Sequence, residues 1–250
     1  MTASTFTSPQ GRKIAYHQSE GAGPGVVFLG GFKSDMEGTK ALRLAAWAER
    51  TGRSFLRFDY SGHGQSSGEF EEGTIGDWAE DAEAAIAALT TGPQILVGSS
   101  MGGWIALLLA RRAAARVAAL VTIAAAPDFT EDSMWARFSE TQKAELARAG
   151  QLALPSDYGE PYIITQRLIE DGRAHLVLRT PLHLPFPTRF LQGTADEDVE
   201  LAVALRLLEH ASGPDMRLTL VDGADHRFSD ETCLSLIERT IEEVIARINE

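Results

Sequence analysis

One cysteine, Cys233, stands in a chain of 250 residues. That excludes an intrachain disulfide framework and a cysteine-built metal site. With Leu234, Ile237 and Ile241 at helical spacing around it, Cys233 reads as buried filler. No two histidines stand at helical ligand spacing, so metal binding has no support. Apolar runs fall well short of the roughly 20 residues a membrane helix needs, and no span is expected. Basic runs are missing as well: 23 Lys and Arg face 35 Asp and Glu, a net charge of −12. Nucleic acid and anionic membrane surfaces both require a positive face, so neither is an expected partner. The first twenty residues contain no apolar h-region, and Arg12 and Lys13 are offset by Glu20. The chain is therefore expected to work where it is made, in the cytoplasm. The turn at Gly62 and Gly64 lacks the third glycine of a dinucleotide fingerprint, Ser67 standing in its place, and no cofactor is expected.

What is present is a repeated rhythm of short apolar strands, glycine-punctuated loops and amphipathic helices. Strands are predicted at 6–8, 14–17, 25–29, 54–58, 95–97, 117–123, 188–191 and 216–221. Helices are predicted at 39–50, from a capping start at Thr74 and Asp77 to Leu89, at 104–110, at 199–210 and at 230–248. Apolar strands alternating with helices imply an α/β domain with a mainly parallel, twisted sheet covered on both faces. Between 128 and 185 the rhythm breaks. A charged helix is predicted at 139–149, Pro155 and Pro161 interrupt the chain, and 162–171 reads as another helix. This stretch reads as a helical cap inserted into a core made of 1–127 and 186–250.

The sequence concentrates its chemistry at Gly98-Ser99-Ser100-Met101-Gly102-Gly103, a Gly-x-Ser-x-Gly turn between the strand at 95–97 and a long apolar helix. In that context the motif means a nucleophile elbow, with Ser100 lifted clear of both elements. A serine hydroxyl needs a base, and His226 follows the last strand in a loop at the sheet's active edge. His17, His175, His183 and His210 have no comparable position. The imidazole in turn needs a carboxylate to fix its tautomer. Asp196, in the loop after the strand at 188–191, is the expected acid, and Asp198 is its rival. The order Ser, Asp, His is that of α/β-hydrolases. An oxyanion would be met by the backbone amides of Met101 and, from the loop after the strand at 25–29, Phe32. Asp59 and His63, beside two glycines, read as ties within their own turn. Trp104, Met134, Trp135, Phe138 and Tyr162 are the candidate substrate-binding residues: Trp104 reads first as a packing residue but starts close enough to the site to form a pocket wall, and the others suggest an apolar acyl pocket in the cap, although aromatics there also simply pack it.

Three stretches carry a resemblance: Gly31-Phe32-Lys33-Ser34-Asp35-Met36-Glu37-Gly38-Thr39-Lys40-Ala41-Leu42, Arg57-Phe58-Asp59-Tyr60-Ser61-Gly62, and Gly98-Ser99-Ser100-Met101-Gly102-Gly103-Trp104. They resemble one branch of the α/β-hydrolases, that of the mitochondrial palmitoyl-protein thioesterase and acyl-glucuronide esterase with its bacterial relatives. The likeness spans nearly the whole chain, specific in the first half and loose in the cap. It implies a serine hydrolase of esters or thioesters with Ser100, Asp196 and His226 in the triad positions. Three features depart from the family pattern: Gly30-Gly31 where many members have His-Gly, Glu200 where a proline often follows the acid loop's valine, and a cap sequence of its own. The expected partner is a small-molecule ester or thioester, an acylated protein falling in the same class. The same three side chains would also serve cofactor-free perhydrolysis or C–C cleavage, and a hydrolase scaffold without catalysis would be a ligand receptor.

Overall fold

A computed structural model describes residues 3–155 and 161–248. Eight strands form one sheet: β1 (Ser4–Thr7), β2 (Lys13–Ser19), β3 (Ala22–Leu29), β4 (Arg53–Phe58), β5 (Gln94–Ser99), β6 (Val117–Ile123), and, further on, β10 (Thr188–Gly193) and β12 (Met216–Val221). Their spatial order is β1-β2-β4-β3-β5-β6-β10-β12. The β1–β2 and β2–β4 pairs are antiparallel, and every later pair in the sheet is parallel. The central β5 is buried along its whole length, as expected of a strand covered on both sides. By contrast β12 pairs only with β10 and exposes Arg217, Thr219 and Leu220, so the expectation of a sheet covered on both faces fails at this edge.

Helices cover both faces. On one side α1 (Thr39–Thr51) and α7 (Glu231–Ile248) bury Leu44, Trp47, Ile237 and Ile241 against Val26, Val97 and Val121. On the other, α2 (Ile75–Leu89) and α3 (Met101–Arg112) bury Trp78, Ile105 and Leu108 against Val27, Leu96 and Leu120. The walls of α3 are buried all the way round through Ala110, which explains its unbroken apolar sequence. α1 closes on Gly52 in the left-handed conformation. The Thr74 hydroxyl caps α2 through the Asp77 amide, but the Asp77 carboxylate pairs with Arg12 and Arg167. A reciprocal capping box occurs instead at Ser139 and Gln142.

Between β6 and β10 the chain makes a π-helical turn (Thr130–Trp135), α4 (Glu140–Ala149), β7 (Gln151–Leu154), β8 (Tyr162–Thr165), α5 (Gln166–Ala174) and the short β9 (Leu182–His183). After β10 come α6 (Leu201–His210) and β11 (Ala211–Ser212), which pairs with β9. The segment is therefore not the purely helical cap expected from its sequence. β7 and β8 form an antiparallel ribbon, and the helix predicted at 162–171 begins only at Gln166, where the Thr165 hydroxyl caps it. The Tyr-Ile-Ile-Thr run is β-prone, and its Ile164 is fully buried by ribbon pairing. Asp128 clamps the two ends of the segment together: fully buried, it accepts from the amides of Val177 (2.7 Å) and Leu178 (3.0 Å) and from Arg179 (2.9 Å).

Candidate active site

The loops at the carboxyl ends of β3, β5, β10 and β12 meet around Ser100. That is where a parallel sheet places its ligands. Ser100 sits at φ 54°, ψ −118°, a conformation held by the tight passage from β5 into α3. Glycines enforce it. A Cβ on Gly98 would lie 2.3 Å from the Gly102 carbonyl oxygen, and one on Gly102 would lie 2.1 Å from that of Leu29. The N-terminal end of α3 adds its partial positive charge at the same point.

Three side chains form a hydrogen-bonded line. Ser100 Oγ lies 3.0 Å from His226 Nε2, and His226 Nδ1 lies 2.9 Å from Asp196 Oδ2. Asp196 is 8% exposed, and its oxygens also accept from Gln192 Nε2 (2.9 Å) and the amides of Asp198 (3.0 Å) and Val199 (2.8 Å). Burial disfavours its charge, but the hydrogen bonds from His226, Val199 and Gln192 outweigh that and hold its pKa below the usual carboxylate value. The rival Asp198 gives its amide to Asp196 instead, and its carboxylate is exposed. Asp222 accepts from Thr194, and Asp225 accepts from the Phe228 amide within its own turn. Asp196, Asp198 and His226 are the one group of potential metal ligands among the described residues, with ligand atoms within 4.8 Å of one another. The hydrogen bond between His226 and Asp196 already accounts for that closeness.

Facing Ser100 is the loop after β3. A Cβ on Gly31 would stand 3.4 Å from the Ser100 Cβ, so glycine there lets the loop come close. The Phe32 ring anchors this loop edge-on against Phe70 (4.8 Å between centroids), Phe129 (5.6 Å) and Trp78 (5.9 Å). Phe32 and Met101 border the same cavity as Ser100 and His226, a space of about 1080 Å³. Beyond Phe32 its wall carries Phe129, Met134, Phe138, Leu154, Tyr162 and Ile164, with Ser133, Arg137 and Gln142 among them.

Met134, Phe138 and Tyr162 are thus brought to the cavity, but two residues singled out from the sequence are not. Trp104 is fully buried, donates its indole N–H to the His175 carbonyl at 3.1 Å and packs edge-on behind Phe129. Its position on α3 directs it into the core between α2 and α5, and it forms no part of the wall. Trp135 turns outward, its ring covered by Arg173 (4.6 Å) and Lys143 (5.4 Å). Asp59 ties its turn to the preceding loop, accepting from the Gln65 and Met36 amides at 2.8 and 2.7 Å. His63 is buried beside it among Tyr60, Phe70 and Trp78.

Sequence reasoning overlooks Gln192, which grips Asp196, and the lining residues Phe129, Leu154 and Ile164. Gln192 carries a signal: a polar residue directly after the apolar Phe190-Leu191 pair of a buried strand needs a partner. The lining residues carried none, since any apolar residue of the insertion is equally a candidate for packing.

The sheet order, the elbow and the loops converging on it define an α/β-hydrolase, and residues 26–165 match the family model described as alpha/beta hydrolase fold. The chain belongs to that family and is a hydrolase related to a mitochondrial thioesterase group. It is 34% identical over 250 residues to the mitochondrial palmitoyl-protein thioesterase ABHD10 of Rattus norvegicus, covering 99% of this chain and 84% of that protein. The Homo sapiens counterpart is 33% identical over 248 residues, covering 98% and 81%. A crystal structure of a protein from Agrobacterium vitis S4, described as a hydrolase, superposes with a TM-score of 0.93 at 42% identity, covering 97% of this chain and 98% of that one. The mouse alpha/beta hydrolase domain-containing protein 10 gives 0.92 at 32% identity, covering 99% and 100%. No helix among the described residues is long and apolar enough to cross a membrane.

Proposed function

We propose that this chain is a serine hydrolase that cleaves carboxylic esters or thioesters through an acyl-enzyme. The observation that carries the reading is the unbroken line from Ser100 Oγ through His226 to Asp196. His226 Nε2 removes the Ser100 proton as Oγ attacks the carbonyl carbon. The leaving oxygen or sulfur then takes that proton from the imidazolium, and water attacks the acyl-serine by the same route in reverse. Asp196, ionised at neutral pH, holds the Nδ1–H tautomer and stabilises the imidazolium. The amides of Met101 and Phe32 meet the tetrahedral oxyanion, a contribution of roughly 2.7–4 kcal/mol for each donor in comparable sites.

The acyl group belongs in the apolar arm beyond Phe32, against Met134, Phe138 and Tyr162, beneath a cap formed by residues 128–185. At about 1080 Å³ the cavity is as large as the upper end of the usual range for small-molecule sites, roughly 300–1,000 Å³, which favours a long acyl chain. The relatives' name, palmitoyl-protein thioesterase, points the same way and brings an acylated protein into the expected substrate class. The mitochondrial address in that name is said of those relatives.

The test is covalent labelling by a fluorophosphonate. Labelling of the wild-type chain that disappears in Ser100→Ala supports the enzyme, and an unlabelled wild-type chain supports a non-catalytic receptor. Hydrolysis of p-nitrophenyl esters and acyl-thioesters of graded length then gives the acyl preference, and product analysis separates hydrolysis from perhydrolysis and C–C cleavage.

A further inference from the structure

The loop that carries His226 is fastened to the site at a second place. α1 starts directly after the loop that bears Phe32, and its second residue is Lys40. The Lys40 ammonium reaches across and donates to the main-chain carbonyl of Arg227, the residue after His226. The two ends of this link are 187 positions apart in the sequence. Lys40 borders the cavity that also contains Ser100 and His226.

The His226 loop keeps its shape by local bonds. The Phe228 amide, in a residue at φ 50°, donates to Asp225 Oδ1 at 3.0 Å, and Asp230 caps the start of α7 through the amides of Thr232 and Cys233. The base of the loop is tied to the acid loop, the Ala195 amide donating to the Ala224 carbonyl at 3.0 Å. These bonds fix the loop's form and its root. The Lys40 bond is different, because it ties the stretch just past His226 to the helix that continues the Phe32 loop.

We propose that Lys40 is a positioning residue, holding the His226 loop against the first turn of α1 and so setting the separation between His226 Nε2 and Ser100 Oγ. The inference rests on the reading of Ser100 as the nucleophile. Its environment fits a tether better than a ligand-binding cation. Burial pushes the ammonium down to about 8, the Asp225 carboxylate opposing and the Arg227 cation adding to that effect. The half-buried ammonium gives one of its N–H donors to the Arg227 carbonyl, and that bond joins the two loops.

Lys40→Met and Lys40→Cys remove the ammonium. Alkylating the introduced thiol with 2-bromoethylamine rebuilds a lysine analogue at position 40. The native Cys233 is 1% exposed and burial pushes its thiol up to about 12, so it stays out of that reaction. The readouts are the second-order rate of inactivation by a fluorophosphonate, and kcat and KM for an uncharged p-nitrophenyl ester. Since misplacement of a catalytic group by 1 Å costs up to about 100-fold, both variants should lose at least about tenfold in inactivation rate and in kcat with KM within about twofold. Aminoethylation should recover most of the loss. Wild-type rates in Lys40→Met, a change confined to KM, or no recovery on alkylation would each overturn the proposal. A Lys40→Met chain that does not fold leaves the decision to Lys40→Cys, compared before and after alkylation. A wild-type chain inert to the fluorophosphonate defeats the functional reading itself, whereas a reactive wild type matched by its Lys40 variants defeats only the tether.

Discussion

His63 offers the sharpest quantitative test of the packing behind the site. Its ring is 4% exposed and lies edge-on to Tyr60, Phe70 and Trp78, with centroids 5.6, 5.1 and 5.1 Å away. Burial pushes its pKa down to about 4, and only the Ser61 carbonyl, 3.1 Å from Nδ1, pulls the other way. In the unfolded chain the imidazole titrates near 6.5. Below that value the unfolded state binds a proton that the folded state refuses, so stability falls as the pH falls. The contribution is complete above 6.5 and is lost progressively as the pH drops through about 4. Between pH 8 and pH 5 that amounts to about 2 kcal/mol, and it approaches about 3 kcal/mol below the folded value. Replacing the ring by leucine gives up the bond to Ser61, at a cost of about 1 kcal/mol at pH 8, but leaves nothing to protonate. Urea unfolding of the wild type and His63→Leu at pH 8 and pH 5 isolates the effect, since all other titrating groups cancel in the comparison. The wild type should lose about 2 kcal/mol more than the variant across that interval. Equal losses would mean that the ring is hydrated or partnered in the folded state, and the account of this aromatic cluster would be wrong. The outcome matters for the site because Phe32 leans on Phe70 and Trp78.

Gly102→Ala drives a Cβ to within 2.1 Å of the Leu29 carbonyl oxygen, backbone against backbone, and should cost more than about 4 kcal/mol in thermal or urea unfolding. Asp128→Ala strands the buried Val177 and Leu178 amides, while the exposed Arg179 keeps Asp132, an expected loss of about 3 kcal/mol by urea unfolding. Asp196→Asn keeps the size of the acid but offers an N–H where an acceptor is needed, and kcat on an activated ester should fall about 10⁴-fold with KM little changed.

The parts of the site that could be read in the sequence are those that backbone geometry dictates. A glycine two residues before Ser100 and another two after it are required because the strand and helix pass too close for any Cβ, so the pattern survives as letters. The loops bearing Asp196 and His226 follow β10 and β12, and a parallel sheet sends both to the same edge as the elbow. Asp196 and Asp198 stand two residues apart in one loop, and their letters alone separate them poorly. The structure separates them by hydrogen bonds: the Asp198 amide, together with that of Val199, points into the Asp196 carboxylate and leaves the Asp198 side chain outside. Such an Asx-type turn is common to many loops and does not announce which acid faces inward.

The insertion was legible only as a change of rhythm, and the two tryptophans show why. Trp104 begins one turn after Ser100 on α3, close enough in sequence to suggest a pocket wall. Yet a helix leaving an elbow turns successive side chains away from the loop edge, and by Trp104 the side chain faces the α5 side of the core. Trp135 stands beside Met134, which does line the cavity. Neighbours on a helix point in directions about 100° apart, so one of the pair can line the cavity while the other does not. Here the π-helical turn sets which one, and the displaced indole finds Lys143 and Arg173 instead of an acyl chain. Neither orientation follows from hydrophobicity alone, because a cation over its ring gives a half-exposed tryptophan about 0.5–1 kcal/mol of its own. The phase of one short helical turn thus decides which side chains between Asp128 and Phe138 border the cavity, whereas the Ser100, His226 and Asp196 geometry is set elsewhere, at the edge of the sheet.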